Sequence, residues 1–310
     1  MVALRTEAAM STPSDPRVTP PSRDPGLPRG VWETACGYAR NFLLNRFVYV
    51  VVSPRAHGLS VGVNMNPDKR CNFDCVYCEV NREIPARDRQ LDVGVMMQEL
   101  DHTLGLALDG RLHALPGFQS LPAELLQLRH VALSGDGEPT LCPNFCEAVQ
   151  AIVHLRALSK YPFFKLVLVS NATALDQPGV LAGLHTLTPQ DEIWLKLDAG
   201  TQAYFSRVDR PTVEFGKVLE NILRLGKQRP IVIQSLFASF NGEEPPTDEI
   251  DQYVERLREL KEGGARISFV QVYSAMRPTM HPECGHLPLK SLSRIAHAVR
   301  AGTGLTVEVF

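Results

Sequence analysis

The chain holds 310 residues with a formal net charge of −2, 44% hydrophobic and 21% charged residues. That composition is ordinary for a globular protein and long enough to bury one barrel-sized core. It leaves no basic footprint for nucleic acid, no apolar run that spans a membrane and no hydrophobic leader within residues 1–10, so a cytoplasmic location is expected.

Residues 11–30 carry six prolines among Ser, Thr, Asp and Arg. They read as a disordered tail over 1–30, followed by one domain over 31–310. A helix is expected near 34–46 and a strand over 47–53. From there strand and helix patterns alternate. Strands are expected at 59–63, 130–134, 165–170, 193–198, 231–236 and 268–273, with a last one near 305–310. Helices are expected near 91–107, 143–158, 214–227, 247–262 and 288–301. Such alternation implies βαβ units and a parallel sheet, either doubly wound or a partial barrel.

The segment Lys69-Arg-Cys-Asn-Phe-Asp-Cys-Val-Tyr-Cys-Glu79 follows the first strand of that series. Its cysteines, Cys71, Cys75 and Cys78, are spaced C-x3-C-x2-C in a chain with seven cysteines in all. Three thiolates are one short of a cuboidal iron–sulfur cluster, so one iron would stay open. A structural zinc site needs a fourth ligand, and a disulfide framework does not suit a reducing compartment. A non-enzymatic zinc- or cluster-binding module remains the alternative of another class.

The triplet, its place after a strand and the six βα units resemble the radical S-adenosylmethionine (SAM) superfamily. Gly58-Leu-Ser-Val-Gly-Val-Asn64 and Ser134-Gly-Asp-Gly-Glu-Pro-Thr140 are similar to its wyosine-synthase-like branch, the iron–sulfur oxidoreductases related to tRNA imidazoguanosine synthases. The resemblance implies a partial (β/α)6 TIM-like barrel. It also implies a [4Fe-4S] cluster on Cys71, Cys75 and Cys78, with SAM on the open iron. Reductive cleavage of SAM would give a 5′-deoxyadenosyl radical that abstracts hydrogen from a substrate. A small reductase such as a flavodoxin or ferredoxin is the implied partner. A tRNA guanosine substrate is the alternative within the branch, and the charge balance does not favour it. The chain departs from the branch in lacking the extra N-terminal cysteines and the flavodoxin-like domain.

Further site residues follow from the resemblance. Tyr77 would flank the adenine. Gly135, Gly137 and Glu138 would meet the methionine moiety, although Asp136 between the glycines departs from the usual Gly-Gly-Glu. Ser170 and Asn171 would bond the ribose or carboxylate, or else cap a helix. Gln234 and Tyr273 would line the cofactor cavity, and Arg277 would hold a substrate carboxylate or phosphate, or else close a strand end. On 193–198 a period of two puts Trp194, Lys196 and Asp198 on the inner face. Lys196 and Asp198 would serve the chemistry, or else pair with each other. Cys142 and Cys146, four apart, are expected on one helix face as core packing. His281, Cys284 and His286 form a weaker candidate metal cluster.

Overall fold

The computed structural model describes residues 42–115, 117–277 and 279–310. The expected tail over 1–30, most of the expected helix at 34–46, and Cys36 lie outside the described residues; of that helix, Phe42–Leu44 forms a single 3-10 turn.

An eight-stranded sheet curls into a half-barrel. Its strands in spatial order are β1 (Val48–Ser53), β2 (Gly58–Asn64), β3 (Leu128–Ser134), β4 (Lys165–Ser170), β5 (Glu192–Lys196), β6 (Ile231–Leu236), β8 (Ile267–Tyr273) and β10 (Val307–Val309). Only β1 and β2 pair antiparallel; every other pairing in the sheet is parallel. A separate two-stranded ribbon joins β7 (Ser239–Phe240) to β9 (Cys284–Gly285). The helices are α1 (Val93–Leu108), α2 (Phe145–Ala157), α3 (Pro178–His185), α4 (Gln202–Val208), α5 (Phe215–Gln228), α6 (Thr247–Glu262) and α7 (Leu289–Thr303). None is long and apolar enough to cross a membrane.

The two faces of the sheet differ as parallel strands under helices require. Outward residues such as Val61, Leu133, Leu168, Ile193, Ile233 and Val270 join the main apolar core with the helices. The inner face has only a small apolar floor of Val167, Trp194 and Val232, with Val169 and Phe269 packed on it. Above that floor the inward positions are polar, which a folding core alone does not explain.

The sheet has two edges, β1 and β10. The turn between β1 and β2 reaches across to the far edge. The Arg55 guanidinium lies 4.1 Å from the centroid of the Tyr273 ring on β8. The His57 ring is 5.7 Å from that of Phe310, and its Nε2 is 3.9 Å from Glu308 on β10. These side chains form the seam of the incomplete ring.

Candidate active site

The cysteine loop lies beyond the C-terminal end of β2, where parallel barrels place their chemistry. It is held by backbone hydrogen bonds to a distant segment. Val76 N–H donates to the Val208 carbonyl at 2.8 Å, Asp74 N–H to that of Asp209 at 3.0 Å, and Thr212 N–H to that of Asn72 at 3.0 Å. The loop therefore docks against the end of α4, a short helix that its sequence pattern does not announce.

Cys71, Cys75 and Cys78 are free thiols. All three line one cavity of about 190 Å³, together with Tyr77, Gly135, Gly137, Glu138, Ser170, Asn171 and Lys196. Burial pushes the Cys71 thiol up to about 11, and pushes Cys75 up as well. Among the described residues no three His, Cys, Asp or Glu side chains close on one point as ligands of a single ion do. Three thiols around one cavity are the donor type that iron–sulfur groups and zinc both take. Arg82 stands beside them, its guanidinium 3.7 Å from the Cys78 sulfur and 3.2 Å from Asp74. A cation there would offset negative charge on the sulfurs if they ionise.

The glycine loop after β3 is built for close approach. A Cβ on Gly135, whose φ is +132°, would fall 2.1 Å from the Asn64 Oδ1, and one on Gly137 would fall 2.0 Å from the Arg70 carbonyl. Asp136 fits between them because its carboxylate accepts from the Asn64 amide at 2.7 Å and its N–H donates to Asn64 Oδ1 at 3.0 Å. Glu138 is buried, and its carboxylate accepts four hydrogen bonds. They come from Thr140 N–H and O–H at 3.0 and 2.6 Å, Ser170 O–H at 2.7 Å and Asn171 N–H at 2.7 Å. Burial raises its pKa while these donors oppose the rise. Asn171 in turn donates to Asn72 at 2.8 Å. In this arrangement Glu138, Ser170 and Asn171 tie the glycine loop, the end of β4 and the cysteine loop into one rim.

Lys196 and Asp198 meet at 2.9 Å, the pairing left open by the sequence. Strand β5 ends at Lys196, so Asp198 is not a further inward strand position; it lies past the end and takes a backbone N–H from Leu236 at 2.7 Å. The Tyr77 hydroxyl sits between Asp198, Lys196 and Asp209, and is 2.9 Å from Asp209. Tyr77 therefore gives its polar end to this cluster, while its ring lines the cavity. Cys75 donates to the same Asp209 at 3.3 Å. Burial works against the Lys196 ammonium, but Asp198 and its neighbours outweigh it and hold the pKa well above the lysine range. Burial, then the nearby Asp198, raises Asp209 to about 7.

A second chamber of about 360 Å³ opens from the first across Tyr77, Cys78, Val80, Ser134, Gly135 and Val169. Gln234, Tyr273, Arg277, Trp194, His130 and Arg55 line it. Gln234 donates to Gln271 at 2.9 Å. Arg277 is exposed at the rim and pairs with Glu79 at 3.0 Å. His130 is 3% exposed with its ring 5.4 Å from Trp194, and burial lowers its pKa to about 4.

The sequence did not point to Arg82, Asp209, His130 or Arg55. His130 shares the inward parity of Ser134 on β3, so strand parity is the signal there, whereas Arg55 lies on the 3-10 turn after β1, where no parity applies. Asp209 lies 134 positions from Cys75 and gave none. Cys142 and Cys146 do not share a helix face, because Cys142 precedes α2 and only Cys146 lies on it. His281, Cys284 and His286 go separate ways: His281 to Arg210, His286 to the Ala275 carbonyl, and Cys284 into the β7–β9 ribbon.

No family model matches the chain. It is 31% identical over 185 residues to the UPF0026 protein of Helicobacter pylori, covering 58% of this chain and 52% of that protein. It is 25% identical over 193 residues to the S-adenosyl-L-methionine-dependent tRNA 4-demethylwyosine synthase of Saccharomyces cerevisiae, covering 58% of this chain and 22% of that protein. The chain spans only about half the length of the first of these relatives. Its fold matches the solved structure of TYW1 with a lysine–pyruvate adduct bound, at a TM-score of 0.52 and 18% identity over 80% of this chain and 74% of that one. The cysteine triplet thus sits on a curled parallel half-barrel, and the chain is similar in sequence to the UPF0026 and tRNA 4-demethylwyosine synthase proteins and in fold to TYW1.

Proposed function

We propose that the chain is a radical SAM enzyme acting on a substrate held in the inner chamber. The observation that carries this reading is the three free cysteines on one cavity that opens directly into a larger chamber on the inner face of the sheet. Cys71, Cys75 and Cys78 would hold a [4Fe-4S] cluster, and SAM would lie on the iron they leave open, along Gly135, Gly137 and the Glu138–Ser170–Asn171 rim. When bound, that pair supplies the one-electron cleavage of SAM to methionine and a 5′-deoxyadenosyl radical that takes hydrogen from the substrate.

The chain's own residues prepare the place for it. Gly135 and Gly137 let backbone approach where a side chain would collide. Val80 and Val169 line both cavities and keep the passage between them apolar. Arg82 offsets anionic sulfur at Cys78. The Tyr77–Lys196–Asp198–Asp209 cluster fixes the floor of the cysteine loop. Gln234, Tyr273 and Arg277 face the substrate side. A small flavodoxin or ferredoxin would deliver the electron in the cytoplasm. A tRNA guanosine substrate is the second reading, favoured by the name of the yeast relative and opposed by a net charge of −2.

Anaerobic reconstitution with iron and sulfide tests the reading. The expected product is a brown protein that bleaches with dithionite and releases 5′-deoxyadenosine from SAM. Replacing any one of Cys71, Cys75 or Cys78 by Ala should abolish both colour and release. Zinc in a colourless protein that leaves SAM intact would sink the proposal. A rise in SAM turnover on adding tRNA would select the second reading.

A further inference from the structure

Among the described residues, the inner chamber holds one cation, Arg55, that no acid answers. Arg55 is half-buried on the turn after β1 and lines both the chamber and the smaller cavity below it. Its neighbours are committed. Lys196 pairs with Asp198 at 2.9 Å, Arg277 with Glu79 at 3.0 Å and Lys165 with Glu192 at 2.5 Å, while Arg129 donates to the His57 carbonyl at 2.9 Å. Among the described residues Arg55 has no acid partner and donates no hydrogen bond; its recorded contact is the Tyr273 ring beneath it. Stacking occupies the flat face of a guanidinium and leaves its N–H edge directed elsewhere.

The wall behind this end is fixed: Gln271, fully buried on β8, accepts at its side-chain oxygen from Gln234, which lines the chamber. His130, also on the chamber wall, is held neutral by burial near pH 7 and contributes no competing charge. The chamber therefore offers donors at the Arg55 end, aromatic walls at Trp194 and Tyr273, and Cys78 at the other end.

We propose that the inner chamber takes a small molecule bearing an oxyanion, a carboxylate or a phosphate, seated on the Arg55 guanidinium. This rests on the enzymatic reading for what happens at the cysteine end and adds the chemical class of the substrate. A volume of about 360 Å³ suits a metabolite-sized ligand.

Trp194 is a built-in reporter, since it lines the chamber and the sequence has only one other tryptophan, Trp32. In the full chain carrying Trp32→Phe, acetate, malonate and inorganic phosphate would be titrated at fixed ionic strength against tryptophan fluorescence, with acetamide as the neutral control. The expected result is a saturable change with a carboxylate or with phosphate, and none with acetamide. The preferred anion then tells carboxylate from phosphate. Arg55→Gln should weaken the response at least tenfold while the protein still melts cooperatively within a few degrees of the parent, and Arg55→Lys should recover part of it. Should Arg55→Gln fail to fold, Arg55→Met gives the same comparison with the stacked stem kept. Equal affinity with and without the Arg55 charge, no saturable response to any anion, or a response to tRNA alone would overturn the proposal. The assay does not need the cluster. Anion binding without SAM cleavage on reconstitution would overturn the enzymatic reading instead, and SAM cleavage without anion binding would overturn this one.

Discussion

Individual side chains in this protein carry costs that titration and mutation can read. His130 is buried beside Trp194 with its pKa lowered to about 4 from 6.5. An unfolded chain binds a proton there below pH 6.5, and the folded one does not until about pH 4. Folding stability attributable to this residue is therefore lost as pH falls from 6.5 to 4, by roughly 3 kcal/mol across that window at about 1.4 kcal/mol per pH unit. Urea melts at pH 7 and pH 4.5 should show a smaller acid-induced loss in His130→Gln than in the parent; an equal loss would place the acid sensitivity elsewhere. Asp198 is the other informative residue. It neutralises Lys196, holds the Tyr77 hydroxyl and accepts from Leu236 N–H. Asp198→Ala leaves a buried ammonium uncompensated, and should cost about 3–5 kcal/mol in chemical denaturation. A loss below about 1 kcal/mol would mean that solvent reaches Lys196 freely.

At the scale of elements, the long strongly patterned segments were legible and the short ones were not. Strands expected at 165–170 and 231–236 and the helix expected at 247–262 coincide with β4, β6 and α6. Those segments pair continuous Val, Ile and Leu runs with an amphipathic helix, so local pattern and tertiary burial agree. The missed helices, α3 and α4, have eight and seven residues, too few for helical periodicity to show. The alternating pattern runs two residues past the end of β5, because Leu197 and Asp198 continue it after the ladder has ended. The cysteine triplet was legible because its spacing is local. Its support was not, because Val208, Asp209 and Thr212 come from more than 130 positions downstream. That support makes a prediction. Asp209→Ala removes the acceptor for Tyr77 and Cys75 while keeping the backbone pairing, so amide exchange at Asp74 and Val76 should speed up several-fold. Unchanged exchange would show that the backbone bonds alone hold the loop.

The whole molecule is a ring with a piece left out. Seven parallel strands curve round the chamber, and among the described residues the remaining gap is bridged by side chains rather than by backbone pairing. Those bridges are the Arg55–Tyr273 stack, the His57–Phe310 contact and the long His57–Glu308 approach. Each is a weak interaction, worth about 0.5–1 kcal/mol at a partly exposed site. Parting all of them together costs far less than breaking one strand from its neighbour. The weakest part of the chamber wall is thus its seam, and the arginine proposed to seat a small anion is also one of the side chains that closes it.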